Sequence, residues 1–216
     1  MCARWSGLSR RNRDSCPRSE HCMKLKRVAR MLLRGLLPER IQVRFGLRTL
    51  HASVAPLSPI LENLSRQNPL SVAEIGGRWG DSMRFVALQY PVRSYTVIDP
   101  YFNYDEYAED GFDEILASRN PDEIARSVNE LGLGLLGKRF QLVREFASKA
   151  TDTLEDGSVD FIFIDGNHRF EFVLDDLLNY WPKVRPGGFL CGHDFFMRSV
   201  NVGGNYQEPM VFEAVE

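Results

Sequence analysis

A doubly wound α/β domain around a mainly parallel sheet is the fold that this chain of 216 residues predicts. Two short segments and one alternation carry that prediction. Ser71–Asp81, SVAEIGGRWGD, reads as a buried strand (Val72–Ile75), a glycine turn (Gly76, Gly77, Gly80) and the start of a helix. Tyr95–Asp99, YTVID, reads as the next strand and ends on a carboxylate 23 residues after Gly76. Beyond Pro56 strands alternate with helices throughout, the pattern of a parallel sheet with right-handed crossovers.

The elements follow in order. His51–Gln67 has Leu57, Ile60, Leu61 and Leu64 at helical spacing and leads into the first strand. Asp81–Tyr90 is the helix after the glycine turn, with Met83, Phe85, Val86 and Leu88 as its apolar positions, and Trp79 beside it reads as a packing residue. Pro100–Gly111 is an aromatic and acidic loop, whose Tyr101, Phe102, Tyr104 and Tyr107 either line a pocket or pack on the domain. Pro121–Leu136 is a helix, with proline in its first turn and Gly137 just past its end. Phe140–Arg144 is the third strand. Val159–Asp165, VDFIFID, is the fourth, with the continuous β-branched and aromatic run Phe161–Ile164 that a strand buried on both faces should have. Arg169–Trp181 is amphipathic, with Phe172, Val173, Leu177 and Tyr180 inward, and Pro186-Gly187-Gly188 turns into the fifth strand, Phe189–His193. Asn201–Pro209 reads as a Gly/Asn loop and Met210–Glu216 as the first turns of a helix.

A hydrophobic share of 44% and a charged share of 26% suit one globular domain with a sizeable core. The net charge of −2 conceals an asymmetry. Residues 1–48 carry 13 Lys/Arg against 3 Asp/Glu, and the remainder carries 14 basic against 26 acidic side chains. An acidic body repels a phosphate backbone, so nucleic acid is not an expected partner. Cys2, Cys16 and Cys22 cluster near the start and Cys191 stands alone, without zinc spacing or a disulfide framework, so the body reads as a cytoplasmic protein. No apolar run reaches the ~20 residues of a transmembrane helix.

The chain divides into residues 1–22, an Arg/Ser-rich leader read as disordered, residues 23–70, a basic helical extension, and residues 71–216, the α/β domain. Leu25, Val28, Leu32 and Leu36 fall at helical spacing, with Lys24, Arg27, Arg30 and Arg34 largely on other faces. Three readings of this segment stand: an organelle transit peptide, a basic helix over residues 24–37 on an anionic membrane or partner, or an accessory helix capping the domain, with Met23 as the start.

The glycine turn narrows the ligand. A pyrophosphate site needs G-x-G-x-x-G, whereas Glu74 here precedes Gly76-Gly77-Arg78-Trp79-Gly80, an E-x-G-x-x-x-G pattern. A loop with no phosphate to cradle suits a cationic nucleoside such as S-adenosylmethionine, and a nucleotide-dependent oxidoreductase is disfavoured. Open α/β sheets bind ligands beyond the carboxyl ends of their strands, where Gly76, Asp99, Asp165, His168, His193 and Asp194 all fall. His168 can serve as general base or cap the following helix, and a divalent ion can do the same work electrostatically. Asp99 can bind a ribose diol or cap its loop, and Asp165 can face the ligand or hold its own turn.

With EIGGRWGDS and FIDGNHRFEFVLDDL…PGGFLCGHDF together, the chain resembles the class I S-adenosylmethionine-dependent methyltransferases over about Ser71–Phe196. It is similar in particular to the small-molecule O-methyltransferases related to catechol O-methyltransferase and to antibiotic-tailoring enzymes. The resemblance implies a Rossmann-like sheet of order 3-2-1-4-5 and S-adenosylmethionine as cofactor. It also implies a small-molecule acceptor, with homodimers among the expected assemblies. Glu74, Gly76, Gly77, Gly80 and Ser82 would then shape the methionine and ribose site, with Asp99 on the ribose diol. Ala147 and Ser148 would flank the adenine, Asp165 would face the sulfonium, and His168 with Asp165 would be catalytic. Relatives hold Mg²⁺ through a fourth-strand carboxylate and two residues after the fifth strand, here Asp165, His193 and Asp194. One of these is an imidazole, softer than magnesium prefers. Such sheets continue past the fifth strand with a helix and an antiparallel strand pair, but only 23 residues follow His193. The expectation is a domain shortened at its C-terminus, with that strand pair missing and an open edge on the fifth strand. The alternative function is a non-catalytic methyltransferase-like fragment acting as a binding or interaction module.

Overall fold

The computed structural model describes residues 52–102, 120–194, 200–202, 205–207 and 214–215. The leader 1–22, the basic helix expected from Met23, Tyr104 and Tyr107 lie outside the described residues. The elements are α1 (Ser58–Ser65), β1 (Leu70–Ile75), α2 (Asp81–Gln89), β2 (Val92–Ile98), α3 (Pro121–Leu136) and β3 (Phe140–Val143). There follow α4 (Ala147–Ala150), β4 (Val159–Ile164), α5 (Phe170–Tyr180) and β5 (Val184–Gly192), then β6 (Val200–Val202) and β7 (Asn205–Gln207). The five-stranded sheet has the order β3-β2-β1-β4-β5 with every pairing parallel, the expected doubly wound topology.

Alternation along the strands divides the core in two. Phe161 and Phe163 of β4 join Leu61, Val72, Val86 and Tyr95 on one face of the sheet. Ile162 and Ile164 join Ala73, Ile75, Ile98 and Tyr180 on the other. Every residue of β1 and β4 is buried, which is why both read as near-continuous apolar runs. α3 has the bounds its sequence signals set. The Asn120 side chain accepts from Asp122 N at 2.9 Å, Asp122 and Glu123 occupy the first turn, and Gly137 ends the helix at φ +59°. Gly132 on its inner face leaves room for the Phe140 ring, 2.4 Å from where a Cβ would lie. Among the described residues no helix is long and apolar enough to cross a membrane.

Three expectations change. The His51–Gln67 helix begins late, because Pro56 and Pro59 each open a new segment, a 3₁₀ turn at Ala55–Leu57 and then α1. β5 begins at Val184, so Pro186-Gly187-Gly188 lies inside the strand as a bulge. The partner strand advances only from Val159 to Phe161 while β5 advances from Val184 to Phe189, with Gly187 at φ +79°. The stretch read as a Gly/Asn loop contains an antiparallel pair, β6 with β7, forming its own two-stranded sheet. Alternating Val200-Asn201-Val202 followed by Gly203-Gly204 was the hairpin signal there.

At the amino-terminal end of β4, Asp160 is a buried tie. Its carboxylate accepts from Ser71 N at 2.6 Å, lies 3.4 Å from Arg93 Nη2 and pairs closely with Arg185 Nε. It thereby fastens the start of β4 to β1, β2 and β5. Asp160→Ala leaves a buried N–H and two cations without their acceptor, and we expect a loss of about 2–3 kcal/mol in urea denaturation. A loss below about 0.5 kcal/mol, the range of an ordinary surface substitution, would show that the tie contributes little.

Candidate functional site

The strand ends are level. Ile75 pairs with both Ile98 and Ile164, Ile98 with Val143, and Ile164 with Gly192. The residues just past these positions line one edge above a cavity of about 780 Å³, a size typical of small-molecule sites. Glu74, Gly76, Gly77, Ser82, Asp99, Ala147, Ser148, Asp165, His168, His193 and Asp194 all line it. Of the expected site residues only Gly80 does not, since it starts α2 at φ +74°.

Gly76 and Gly77 are required by contact. A Cβ on Gly76 would lie 2.1 Å from the Asp165 carbonyl oxygen, and one on Gly77 would lie 2.3 Å from Val97 Cγ1. Asp99 braces this turn from the next strand. Its Oδ2 accepts from Gly77 N (2.8 Å) and Arg78 N (3.0 Å), and its Oδ1 accepts from Tyr101 N (2.8 Å). Three of about four acceptor positions of this carboxylate are thus taken by backbone N–H groups. Burial pushes its pKa up, while these N–H groups and Arg144 pull it down.

Glu74 lies on the same face of β1 as Val72, and this places a carboxyl in the core. Tyr95 Oη donates to its Oε2 at 2.8 Å. Burial raises its pKa to about 8 despite that hydrogen bond, with Asp165, Asp99 and Asp81 adding to the rise. Ser82 is buried in the first turn of α2, and Ala147 and Ser148 open α4 on the opposite wall. The Ala147 carbonyl accepts from Tyr180 Oη at 2.7 Å.

Four side chains from two segments, the loop after β4 and the end of β5, meet at the cavity's other end. His168 Nε2 lies 3.7 Å from Asp165 Oδ1 and 3.3 Å from Asp194 Oδ2, and His193 Nδ1 lies 3.7 Å from Asp165 Oδ1 and 2.8 Å from Asp194 Oδ1. One ligand atom from each falls within 4.8 Å of all the others. Asp194 holds φ +55°, a left-handed conformation uncommon outside glycine, and its carboxylate lies against both imidazoles. Two imidazoles and two carboxylates do not make the all-oxygen set that magnesium takes. The donor set does not fit Mg²⁺.

Sequence reasoning missed two groups here. Asp176 is buried on α5 and lines the cavity, with its pKa raised to about 7 by burial and by Asp175. Its signal was its place in the inward stripe Val173, Asp176, Tyr180. Tyr95 was missed as the partner of Glu74, because a cross-strand neighbour leaves no mark in local spacing. Of the aromatic loop, Tyr101 is buried at φ +45° with its hydroxyl against Gly77, and Phe102 is largely exposed; both line the cavity. Trp79 is partly buried, packs against the core and also lines the cavity.

The family described as "Methyltransferase domain" matches residues 73–195. An uncharacterized protein of Acanthamoeba polyphaga mimivirus is 25% identical over 144 residues, covering 63% of this chain and 58% of that protein. An uncharacterized protein of Sinorhizobium fredii is 35% identical over 63 residues, covering 29% of this chain and 7% of the relative. The chain therefore spans less than two thirds of the length of these curated relatives. Among solved structures, the O-methyltransferase NovP superposes with a TM-score of 0.51 at 21% identity, covering 74% of this chain and 69% of NovP, a likeness of fold.

The buried Glu74 carboxyl gives a pH signature. Its folded pKa of about 8 exceeds the ordinary 4.5, so between those values the folded chain holds a proton that the unfolded chain has lost. Stability therefore falls as pH rises through that window and levels off above it. Glu74→Gln stays neutral throughout, so the melting temperature of the variant relative to wild type should climb from pH 4.5 to 8. A difference independent of pH would show that Glu74 titrates normally.

Proposed function

The chain belongs to the methyltransferase-domain family, with its class I, S-adenosylmethionine-dependent fold, and on that premise we propose that it methylates a hydroxyl oxygen of a small molecule. One observation carries the reading: the residues expected for donor and acceptor, from opposite ends of the strand order, line a single cavity. The bound donor supplies an electrophilic methyl on a sulfonium. Gly76 and Gly77 admit it close to the backbone, Glu74 and Ser82 lie at its methionine end, and Asp99 offers one carboxylate position to its ribose. Ala147 and Ser148 flank the adenine, and Asp165 faces the positive sulfur.

The acceptor's place is beside the Asp165, His168, His193 and Asp194 cluster. As the oxygen forms its bond to the methyl carbon, the carbon–sulfur bond breaks and its electron pair stays on sulfur. The hydroxyl proton passes to the lone pair of His168 Nε2, and the carboxylates of Asp165 and Asp194, 3.7 and 3.3 Å from that atom, stabilise the imidazolium that forms. A hydroxyl retains its proton at neutral pH, and an imidazole flanked by carboxylates is the base that this step needs. Much of the rate comes from holding oxygen, carbon and sulfur in line.

Calorimetric titration with S-adenosylhomocysteine tests the donor site. We expect one site per chain, weakened about ten- to a hundredfold in Asp99→Ala, which loses both the ribose contact and the brace of the glycine turn. No binding by folded wild type would sink the enzyme reading and favour the non-catalytic module. With labelled donor and a panel of alcohols, phenols, amines and thiols, methyl ethers are the expected products; methylation of amines or thiols alone would overturn the oxygen assignment.

A further inference from the structure

The cluster at the acceptor end is built for more than proton transfer. We propose that Asp165, His168, His193 and Asp194 bind one divalent transition ion of the zinc, cobalt, nickel or iron class, in place of magnesium. The proposal rests on the reading that this cluster is the acceptor's place, and it deepens that reading.

Geometry is the first support. An ion about 2.1 Å from each donor sets neighbouring donors about 3.0 Å apart in an octahedron and about 3.4 Å apart in a tetrahedron. The four imidazole–carboxylate separations, 2.8, 3.3, 3.7 and 3.7 Å, bracket those values. The two 3.7 Å contacts converge on the same oxygen, Asp165 Oδ1, and are too long for hydrogen bonds. The convergence of both imidazole nitrogens on one carboxylate oxygen is the arrangement that a shared centre requires.

Donor chemistry is the second support. Imidazole suits zinc, copper, iron and nickel, whereas magnesium and calcium take oxygen ligands. Two nitrogen and two oxygen donors select the borderline ions. Accessibility is the third. The four side chains are 16–39% exposed and line the cavity, which leaves coordination positions open on its side for an acceptor oxygen. With an ion in place the His168 lone pair would be taken by the metal and His168 would no longer be the base; the ion would instead lower the pKa of a bound acceptor hydroxyl, whose proton would pass to solvent water.

The test uses the full chain, stripped with a chelator and titrated separately with Co²⁺, Zn²⁺ and Mg²⁺ by calorimetry and, for Co²⁺, by visible absorption. We expect one Co²⁺ per chain with d–d bands of mixed nitrogen and oxygen ligation, and Zn²⁺ bound at least about a hundredfold more tightly than Mg²⁺. His168→Ala and His193→Ala should each weaken Zn²⁺ by more than about tenfold and shift the cobalt bands. Three results would overturn the proposal: no one-to-one binding of Co²⁺ or Zn²⁺, Mg²⁺ binding as tightly as Zn²⁺, or full affinity after removal of either imidazole. The wild-type ion comparison stands even if a variant fails to fold. S-adenosylhomocysteine titrated into the same stripped sample reports the donor site separately, so loss of the ion site and loss of the methyltransferase reading are distinguishable.

Discussion

Four backbone hydrogen bonds at the carboxyl edge of the sheet hold the site together. Gly76 N donates to Ile98 O (2.9 Å), Asp165 N to Ile75 O (2.8 Å), Asp99 N to Val143 O (3.1 Å) and His193 N to Ile164 O (3.1 Å). Each extends a parallel ladder one residue beyond its strand, and together they set a glycine, two carboxylates and an imidazole in one row. Strand order decides the neighbours: Asp99 stands beside the glycine turn because β2 pairs with β1, and Asp165 beside it because β4 does. The same closeness makes Gly76 obligatory, since the Asp165 carbonyl occupies the space of a side chain.

From that row the two ends of the cavity acquire different chemistry. At the β2 side, Asp99 spends most of its acceptor capacity on the N–H groups of the glycine turn. It is therefore structural before any ligand arrives, and the turn it shapes is what a nucleoside would meet. Tyr101 contributes to the same brace through its backbone N–H, and its left-handed backbone brings its ring beneath Gly77. At the β5 side no backbone group among the described residues claims the carboxylates in this way. Asp165 and Asp194 face imidazoles instead, so their charge remains available to a ligand.

Much of this was legible in the sequence, for physical reasons that can be named. Val159–Asp165 announced a strand buried on both faces, because no polar residue interrupts Phe161–Ile164. Pro121 and Gly137 marked the ends of α3, because proline and glycine each have a backbone preference that a helix end requires. The residues that line the cavity were legible because the strand ends of a doubly wound sheet fall along one edge, wherever the rest of the chain goes. What stayed hidden depended on neighbours distant in sequence. Pro186-Gly187-Gly188 reads as a turn until the pairing of Val184 with Val159 shows that the strand has already begun. Asp176 looks like a second acidic residue on an exposed face until the docking of α5 buries it. The hold of Asp99 on the glycine turn was not legible, because its partners Gly77 and Arg78 belong to a different strand's turn.

Charge distribution then separates the deep carboxyls from the open ones. Glu74, Asp99, Asp165, Asp176 and Asp194 all line one cavity, a density of negative charge that would repel itself if every group were ionised. Burial answers part of this: Glu74, near 8, and Asp176, near 7, hold their protons at or below neutral pH. A donor with a sulfonium and an ammonium brings positive charge to those carboxyls and favours their ionised forms, so its binding is coupled to proton release. At the acceptor end the carboxylates are solvent-accessible and lie against the imidazoles of His168 and His193. The donor's loss of charge on methyl transfer then removes part of its attraction to the carboxyls of the cavity.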